Sequence, residues 1–396
     1  MTTKERLYIY DTTLRDGQQT QGVTFSLDDK LRISQLLADI GIDYIEGGWP
    51  GANPIDSEFF DRKKEFAKSK LVAFGMTKRF GRSVENDETL AQVVSAGTSV
   101  VCLVGKSHDF HVQKALGISL DENIELITSS IKHLKSLDKE VHFDAEHFFD
   151  GFAANKKYAI SIVKEAMAAG ADWVVLCDTN GGCMPYQVEE TIESLIEEGI
   201  DASRLGIHAH NDTENAVANS LAALQAGVRQ IQGTLNGLGE RCGNANLISL
   251  LPTLLLKPQF AEKFVTGVTS DSLKEITRVS RIMDDVLNRV PNRFAPYVGS
   301  SAFAHKAGLH ANAILKDTET YEHIDPELVG NERIIPVSNQ AGLSNLKEKL
   351  QQAGIKADGD TGKLSMLLKE IKDKESEGYS FDSANASFEI FARRML

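Results

Sequence analysis

Over about the first 260 residues, short β-rich runs alternate with amphipathic helical stretches, and this rhythm constrains the chain more than any other feature. Eight strand candidates can be counted: Leu7–Tyr10, Tyr44–Glu46, Leu71–Gly75, Val100–Val104, Val141–Phe143, Trp173–Cys177, Gly206–His210 and Gln230–Thr234. Each precedes a helix-like segment. Parallel βα units with right-handed crossovers close at eight into a (β/α)8 TIM barrel, an α/β fold of about 250 residues. An open doubly wound sheet is the alternative on pattern alone. Helix punctuation agrees with the alternation. Ser26 stands as an N-cap before Asp28 to Ile40, and Gly41, Gly170 and Gly227 stand where helices close.

After about residue 265 the rhythm stops. A helical stretch from Asp271 to Leu287 leads into a segment carrying Pro, Gly and aromatic residues, and further helices follow from Ser344. The expected organisation is a TIM-barrel catalytic domain over 1–265, a linker and lid over 266–340, and a helical subdomain over 341–396, together a smaller, mostly helical C-terminal unit. A net charge of -13 argues against a nucleic-acid partner, and the basic run Asp61 to Lys70 reads as a solvated helix face. The N-terminus lacks a signal-peptide pattern, and the Leu-rich run at 249–256 is too short to span a bilayer and holds Pro252. A cytoplasmic protein without a membrane partner is expected. Cys102, Cys177, Cys183 and Cys242 match no zinc-finger or CxxC spacing, so they read as packing residues or free thiols.

A barrel of this kind carries its chemistry at the C-terminal ends of the strands. The first strand runs into Asp11-Thr12-Thr13-Leu14-Arg15-Asp16-Gly17-Gln18-Gln19. The seventh ends in His208-Ala209-His210, whose imidazoles the period of two puts on one face. With Asp16 on the same ring of strand ends, they form an open set of two nitrogens and one oxygen that suits a catalytic metal. After the eighth strand comes Asn236-Gly237-Leu238-Gly239-Glu240-Arg241-Cys242-Gly243-Asn244, a glycine loop able to approach a ligand, in which Asn244 offers another oxygen. Glu46, Glu146, Asp178 and Thr179 complete the ring. Glu46 and Glu146 suit acid/base work or the orientation of Arg15. His142 and His147 read as structural or surface histidines. His305, His310 and Tyr321 form a polar and aromatic group beyond the barrel, as in a loop covering a site.

Arg15-Asp16-Gly17-x-Gln19, His208-x-His210, the loop Gly237 to Asn244 and Gly308-x-His310 together resemble the acyl-CoA-condensing branch of the DRE-TIM metallolyases, which includes 2-isopropylmalate, homocitrate and citramalate synthases. The segments Ile45 to Pro54 and Thr320 to Arg333 resemble the (R)-citramalate synthase type most. The resemblance implies a divalent metal (Mg2+, Mn2+, Co2+ or Zn2+) on Asp16, His208 and His210, with Asn244 as a further or water-mediated ligand. It implies that Arg15, Gln19, Glu46, Thr179 and Glu146 serve the keto acid, and that Met76 and Leu103 shape its side-chain pocket. Gly239, Glu240 and Arg241 are the expected cofactor-binding residues, and His310 and Tyr321 the catalytic pair from the second unit. Asn312 departs from the acidic residue that relatives often carry there. The family usually continues into a C-terminal regulatory domain, and this sequence stops before one would fit.

The expected reaction is a Claisen condensation of acetyl-CoA with pyruvate, followed by thioester hydrolysis to citramalate and CoA, in a homodimer with shared active sites. His310 is the expected base, because imidazole titrates near neutral pH. The alternatives are 2-isopropylmalate or homocitrate synthesis on another 2-oxo acid, the reverse-direction acyl-CoA lyase, and a non-catalytic keto-acid-binding barrel.

Overall fold

The structure is a computed structural model and describes residues 4–356, 361–381 and 384–396. Eight parallel strands form a closed barrel: β1 (Tyr8–Asp11), β2 (Tyr44–Gly48), β3 (Lys70–Met76), β4 (Val100–Lys106), β5 (Glu140–Glu146), β6 (Trp173–Asp178), β7 (Leu205–Ala209) and β8 (Gln230–Gly233). The TIM barrel expected from the alternation is therefore the fold, and the open sheet is excluded. Closure comes from β1 pairing with β8, where Ile9 lies opposite Ile231 and Asp11 opposite Gly233. Around the barrel run α1 (Leu27–Ile40), α2 (Pro54–Arg62), α3 (Glu88–Ser95), α4 (Leu120–Ser136), α5 (Lys156–Ala169), α6 (Pro185–Glu197), α7 (Ala216–Gln225) and α8 (Leu247–Leu256).

Local sequence sets these boundaries. Ser26 and Asp29 form a reciprocal capping box at the start of α1, and Gly41 closes that helix in the left-handed conformation with φ 93°. No other residue fits there, since an added Cβ would lie 2.3 Å from the Gly267 carbonyl oxygen. The period of two divides each strand between two environments. Tyr10, Tyr44, Val72, Phe74, Val100 and Cys102 pack together inside the barrel, whereas Gly75 turns outward against Val93 of α3. The interior also holds polar groups: the Tyr44 hydroxyl donates to Glu140 at 2.6 Å, and Gln230 Nε2 lies 3.4 Å from His142 Nδ1.

The turn after β2 is held by a buried ion pair between Lys30 of α1 and Asp56 of α2. Lys30 also donates to the Gly47 carbonyl at 3.1 Å, and Asp56 accepts the Trp49 backbone N–H at 2.9 Å. Burial lowers the Lys30 pKa, and Asp56 opposes that shift.

The expected single helix from Asp271 to Leu287 is interrupted. It consists of Ser270–Leu273 and α9 (Ile276–Val286), separated by a turn at Lys274 and Glu275, where the chain leaves the first compact unit. That unit comprises the residues up to Leu273 together with Val279–Arg289, and the second comprises Lys274–Arg278 and Val290–Leu396. Residues 279–289 stay with the barrel unit because the Asn236 amide donates to the Ser280 carbonyl and to Asp284.

Within the second unit, α10 (Gly308–Ile314) precedes a helical group of α11 (Leu343–Gln352), α12 (Thr361–Ser376) and α13 (Asn385–Met395). Leu346, Leu350, Leu364, Leu367, Ile371 and Phe388 form the core of that group. No helix among the described residues is long and apolar enough to cross a membrane.

Asp56→Ala should destabilise the chain by about 3–5 kcal/mol, because it strands a buried ammonium and an N–H at once. Urea unfolding would measure the loss. A change below about 1 kcal/mol would mean that Lys30 reaches water when its partner is removed.

Candidate active site

The C-terminal mouth of the barrel encloses a cavity of about 320 Å³, lined by residues of the first unit. Its first wall is the turn after β1. The Asp11 carboxylate accepts the Thr13 backbone N–H at 2.9 Å and the Thr13 hydroxyl at 2.8 Å, while the Thr12 carbonyl accepts three successive N–H groups, those of Arg15, Asp16 and Gly17. Thr13 in turn accepts the Leu235 N–H at 2.9 Å, which ties this turn to the one after β8. Arg15 and Asp16 are thereby placed side by side at the mouth, with Arg15 Nη1 3.4 Å from Asp16 Oδ2.

Asp16, His208 and His210 converge across the barrel seam. Asp16 Oδ2 lies 3.2 Å from His208 Nε2 and 3.8 Å from His210 Nε2, and the two imidazole nitrogens are 3.4 Å apart. His210 lies just past β7, in an isolated antiparallel bridge with Asn244. The Asn244 amide nitrogen donates to the Leu238 carbonyl, which leaves its oxygen as the free end. The glycines of this loop allow so close an approach. A Cβ at Gly239 would lie 2.3 Å from Asn244 Nδ2, and one at Gly243, where φ is 93°, would lie 1.9 Å from the Gly237 oxygen.

Electrostatics sharpens the cluster. Burial alone would raise the Asp16 carboxyl, but Arg15 and the two imidazoles outweigh it and hold this group well below the usual carboxylate range. Burial also works against protonated His208, yet the Asp16 hydrogen bond and charge raise its pKa, whereas burial and the neighbouring His208 bring His210 down to about 4. The cluster thus carries fixed negative charge and at least one neutral imidazole. Three of its buried atoms, Asp16 Oδ1, His210 Nδ1 and Asn244 Oδ1, have no hydrogen-bond partner. The two unpartnered oxygens, Asp16 Oδ1 and Asn244 Oδ1, beside the Nε2 atoms of His208 and His210 fit a divalent cation, and the mixed nitrogen and oxygen donors fit it chemically.

Arg15 is fixed from two sides. Its Nε donates to Glu46 at 2.6 Å, and its guanidinium carbon sits 4.0 Å from the centroid of the Phe74 ring. Glu46 itself is fully buried and also accepts from the hydroxyls of Tyr10 and Thr12. Of the roles expected for Glu46, the geometry fits the orientation of Arg15 and not contact with the keto acid: it stands behind Arg15, holds it and does not line the cavity. Leu103 is corrected. It projects outward beside Gly75, near α3, because Cys102 and Val104 take the inward parity on β4. Val104 lines the cavity instead, together with Met76.

Gln19, Glu146, Thr179, Glu240 and Arg241 also line the cavity. Glu146 pairs with Lys106. The Thr179 hydroxyl accepts the backbone N–H of His147 at 2.8 Å, so its own proton is left to donate. Arg241 grips Asp212 with two bonds, of 2.8 and 2.9 Å, and donates to the Thr179 carbonyl, which braces three successive loops. Gly239 bonds Thr20 through both its N–H and its carbonyl. In the second unit His310 and Tyr321 stack with centroids 4.0 Å apart. His305 lies 3.1 Å from Glu322, which is also forked by Arg333.

The sequence reading missed Trp49 and Phe74 as walls and Asp144 and Gln232 behind His208. Inward parity was the available signal for Phe74, Asp144 and Gln232. Cys102 and Cys177 are buried thiols whose pKa burial pushes up, as suits packing residues.

Residues 6–282 match the HMGL-like family. The chain belongs to that family. Residues 297–378 match a second family, described as homocitrate synthase post-HMGL domain-like. An (R)-citramalate synthase of Aquifex aeolicus is 50% identical over 98% of this chain and 73% of its own length. One from Geobacter sulfurreducens is 47% identical over 98% of this chain and 72% of its own. A 2-isopropylmalate synthase of Sulfolobus acidocaldarius is 33% identical over 96% of this chain and 94% of its own. Among solved structures, a Bacillus subtilis HMG-CoA lyase superposes with a TM-score of 0.61 at 19% identity, covering 74% of this chain and 98% of that one, a likeness of fold. The resemblance read from the motifs thus stands.

Chelator-stripped protein should bind one divalent cation, as measured by titration calorimetry. Loss of an outer-shell partner typically costs about 10–100-fold in metal affinity, so removing a direct ligand by Asp16→Ala, His208→Ala or His210→Ala should cost more than about 100-fold. Unchanged affinity in all three would exclude the cluster as the metal centre.

Proposed function

We infer that this chain is an acyltransferase of the condensing type, which joins acetyl-CoA to pyruvate and hydrolyses the thioester to give (R)-citramalate and CoA. The observation that carries the reading is its near-full-length likeness to (R)-citramalate synthases, well above its likeness to 2-isopropylmalate synthases. The mouth of the barrel supports the same chemistry. When held by Asp16, His208 and His210, with Asn244 as a further or water-mediated ligand, a divalent cation supplies Lewis-acid polarisation of a 2-oxo acid carbonyl. Mg2+, Mn2+, Co2+ and Zn2+ all suit that donor set.

The remaining work falls to the protein's own groups. Arg15, fixed by Glu46 and Phe74, presents a preorganised cation to the alkoxide that develops at C2 as the acetyl enolate adds. Thr179 and Glu146 orient the keto acid, with Thr179 donating its hydroxyl proton to the carboxylate. Met76 and Val104 bound the space left for the substrate's side chain. His310, stacked on Tyr321, takes the proton from the acetyl methyl group. Water then cleaves the thioester, releasing CoA as its thiol. The second unit of one protomer serves the barrel of its partner, which closes the site against bulk water while the enolate exists.

Release of free thiol from acetyl-CoA in the presence of a divalent cation tests the reaction. Pyruvate should be the best acceptor. An added methylene is worth only about 1–3 kcal/mol in such a pocket, so 2-oxobutyrate should react slowly and 2-oxoisovalerate poorly. A higher kcat/KM for 2-oxoisovalerate than for pyruvate would move the assignment to isopropylmalate synthesis.

Arg15→Ala and His310→Ala proteins, each inactive alone, should regain activity when unfolded together and refolded. Random pairing gives about half mixed dimers with one intact site each, so recovery near a quarter of the parent activity is expected. Mixed dimers without activity would show that each site uses residues of a single chain.

A further inference from the structure

Behind His208, on the side away from Asp16, a second pair of polar side chains lies inside the barrel. Gln232 is fully buried on β8, directly opposite His208 in the strand register, and its Oε1 is 2.8 Å from His208 Nδ1. Its Nε2 is 3.2 Å from Asp144 Oδ1, which reaches across the barrel from β5. We propose that Gln232 and Asp144 are positioning residues that fix His208 with a proton on Nδ1, so that Nε2 is the nitrogen turned toward Asp16 and His210 and kept for the cation. The inference rests on reading that cluster as a divalent-cation site.

A side-chain amide can sit either way round, with its oxygen or its nitrogen toward the imidazole. An ionised carboxylate only accepts hydrogen bonds. Were the Gln232 oxygen turned toward Asp144, two acceptors would face each other in a dry interior, and each would lose its partner at a cost of about 1–3 kcal/mol. Asp144 therefore selects the amide orientation, and the amide oxygen selects the imidazole tautomer. Asp144 has a second hydrogen bond, with the Cys102 thiol; burial and Glu46 raise its carboxyl, and His208, Arg15 and the thiol oppose them without cancelling the rise.

His210 makes the contrast, because its buried Nδ1 has no partner at all. One imidazole of the pair is thus set before any ligand arrives, and the other is left to adapt. Glu46 does not substitute for Asp144 in this arrangement. Its oxygens are occupied by Tyr10, Thr12 and Arg15.

The test uses the full chain with histidine ring nitrogens labelled with 15N, loaded with Zn2+ as a diamagnetic probe, and in parallel a titration of stripped protein with Mn2+. In the parent protein the His208 resonances should report a protonated Nδ1 and a metal-bound Nε2. Gln232→Met keeps the volume and removes both hydrogen bonds, and should weaken Mn2+ binding about 10–100-fold, as other outer-shell losses do. Gln232→Glu combined with Asp144→Asn keeps an acceptor toward Nδ1–H, gives its other oxygen an amide donor and leaves the net charge unchanged, and should stay within about threefold of the parent. Asp144→Val frees the amide to turn and should fall between the two.

Parent His208 bound through Nδ1 would overturn the proposal, and that measurement needs no variant to fold. Equal losses in Gln232→Met and in the Gln232→Glu/Asp144→Asn double variant would also overturn it, because packing and not hydrogen bonding would then be what counts. A parent chain that binds neither ion would overturn the metal-centre reading itself, and the relay's role with it. Parent-like binding in Gln232→Met would overturn the relay alone.

Discussion

The pairing of β1 with β8 is the contact on which the rest of this protein depends. It joins segments more than two hundred residues apart, and it sets Asp16 of one beside the His208 and His210 that follow on the neighbouring strand. Without closure the turn after β1 would be the rim of an open edge, with its donors and acceptors in water. With closure, the Thr13 hydroxyl bonds the turn after β8, and the loop bearing Asn244 is drawn in against His210. The candidate site is a seam, assembled where the first and last parts of the barrel meet.

Charge is distributed around that seam in an ordered way. Asp16, Glu46 and Asp144 are all buried near the mouth, and Arg15 is the cation that touches Asp16 and Glu46 directly. A surplus of carboxylate in a low-dielectric pocket is unfavourable unless further positive charge arrives. Burial and Glu46 already raise the Asp144 carboxyl and Asp16 raises His208, a strain that a divalent cation beside Arg15 would relieve. This physical reason for a metal is independent of any likeness to other proteins.

Much of this was legible in the sequence, and the parts that were not share one cause. The alternation of strand and helix gave the barrel because both faces of each βα unit must be buried, and that requirement leaves a regular trace. Asp16, His208 and His210 were legible because acidic and imidazole groups at strand ends stand out against an apolar strand. Leu103 was misplaced by a single residue of parity, which in a strand exchanges the cavity for the helix layer. Glu46 was left between substrate contact, acid/base work and the orientation of Arg15, because sequence shows that a carboxylate is present and not which way it is satisfied. Asp144 and Gln232 lie on different strands and meet only through the barrel interior, a contact with no local signature. The break at Lys274 and Glu275 was hidden because the helical periodicity continues across it.

The ion pair between Lys30 and Asp56 has a consequence for how this barrel can change over evolutionary time. It fastens the Trp49 turn, a wall of the cavity, to two helices of the outer layer through groups that never meet water. Either residue replaced alone leaves a bare charge inside the protein, so lineages cannot drift through the single substitutions. They must exchange both positions within a short interval, or first acquire stability elsewhere. Variation at this rim should therefore arrive in jumps, with Trp49 and its neighbours constrained by residues that play no part in the chemistry.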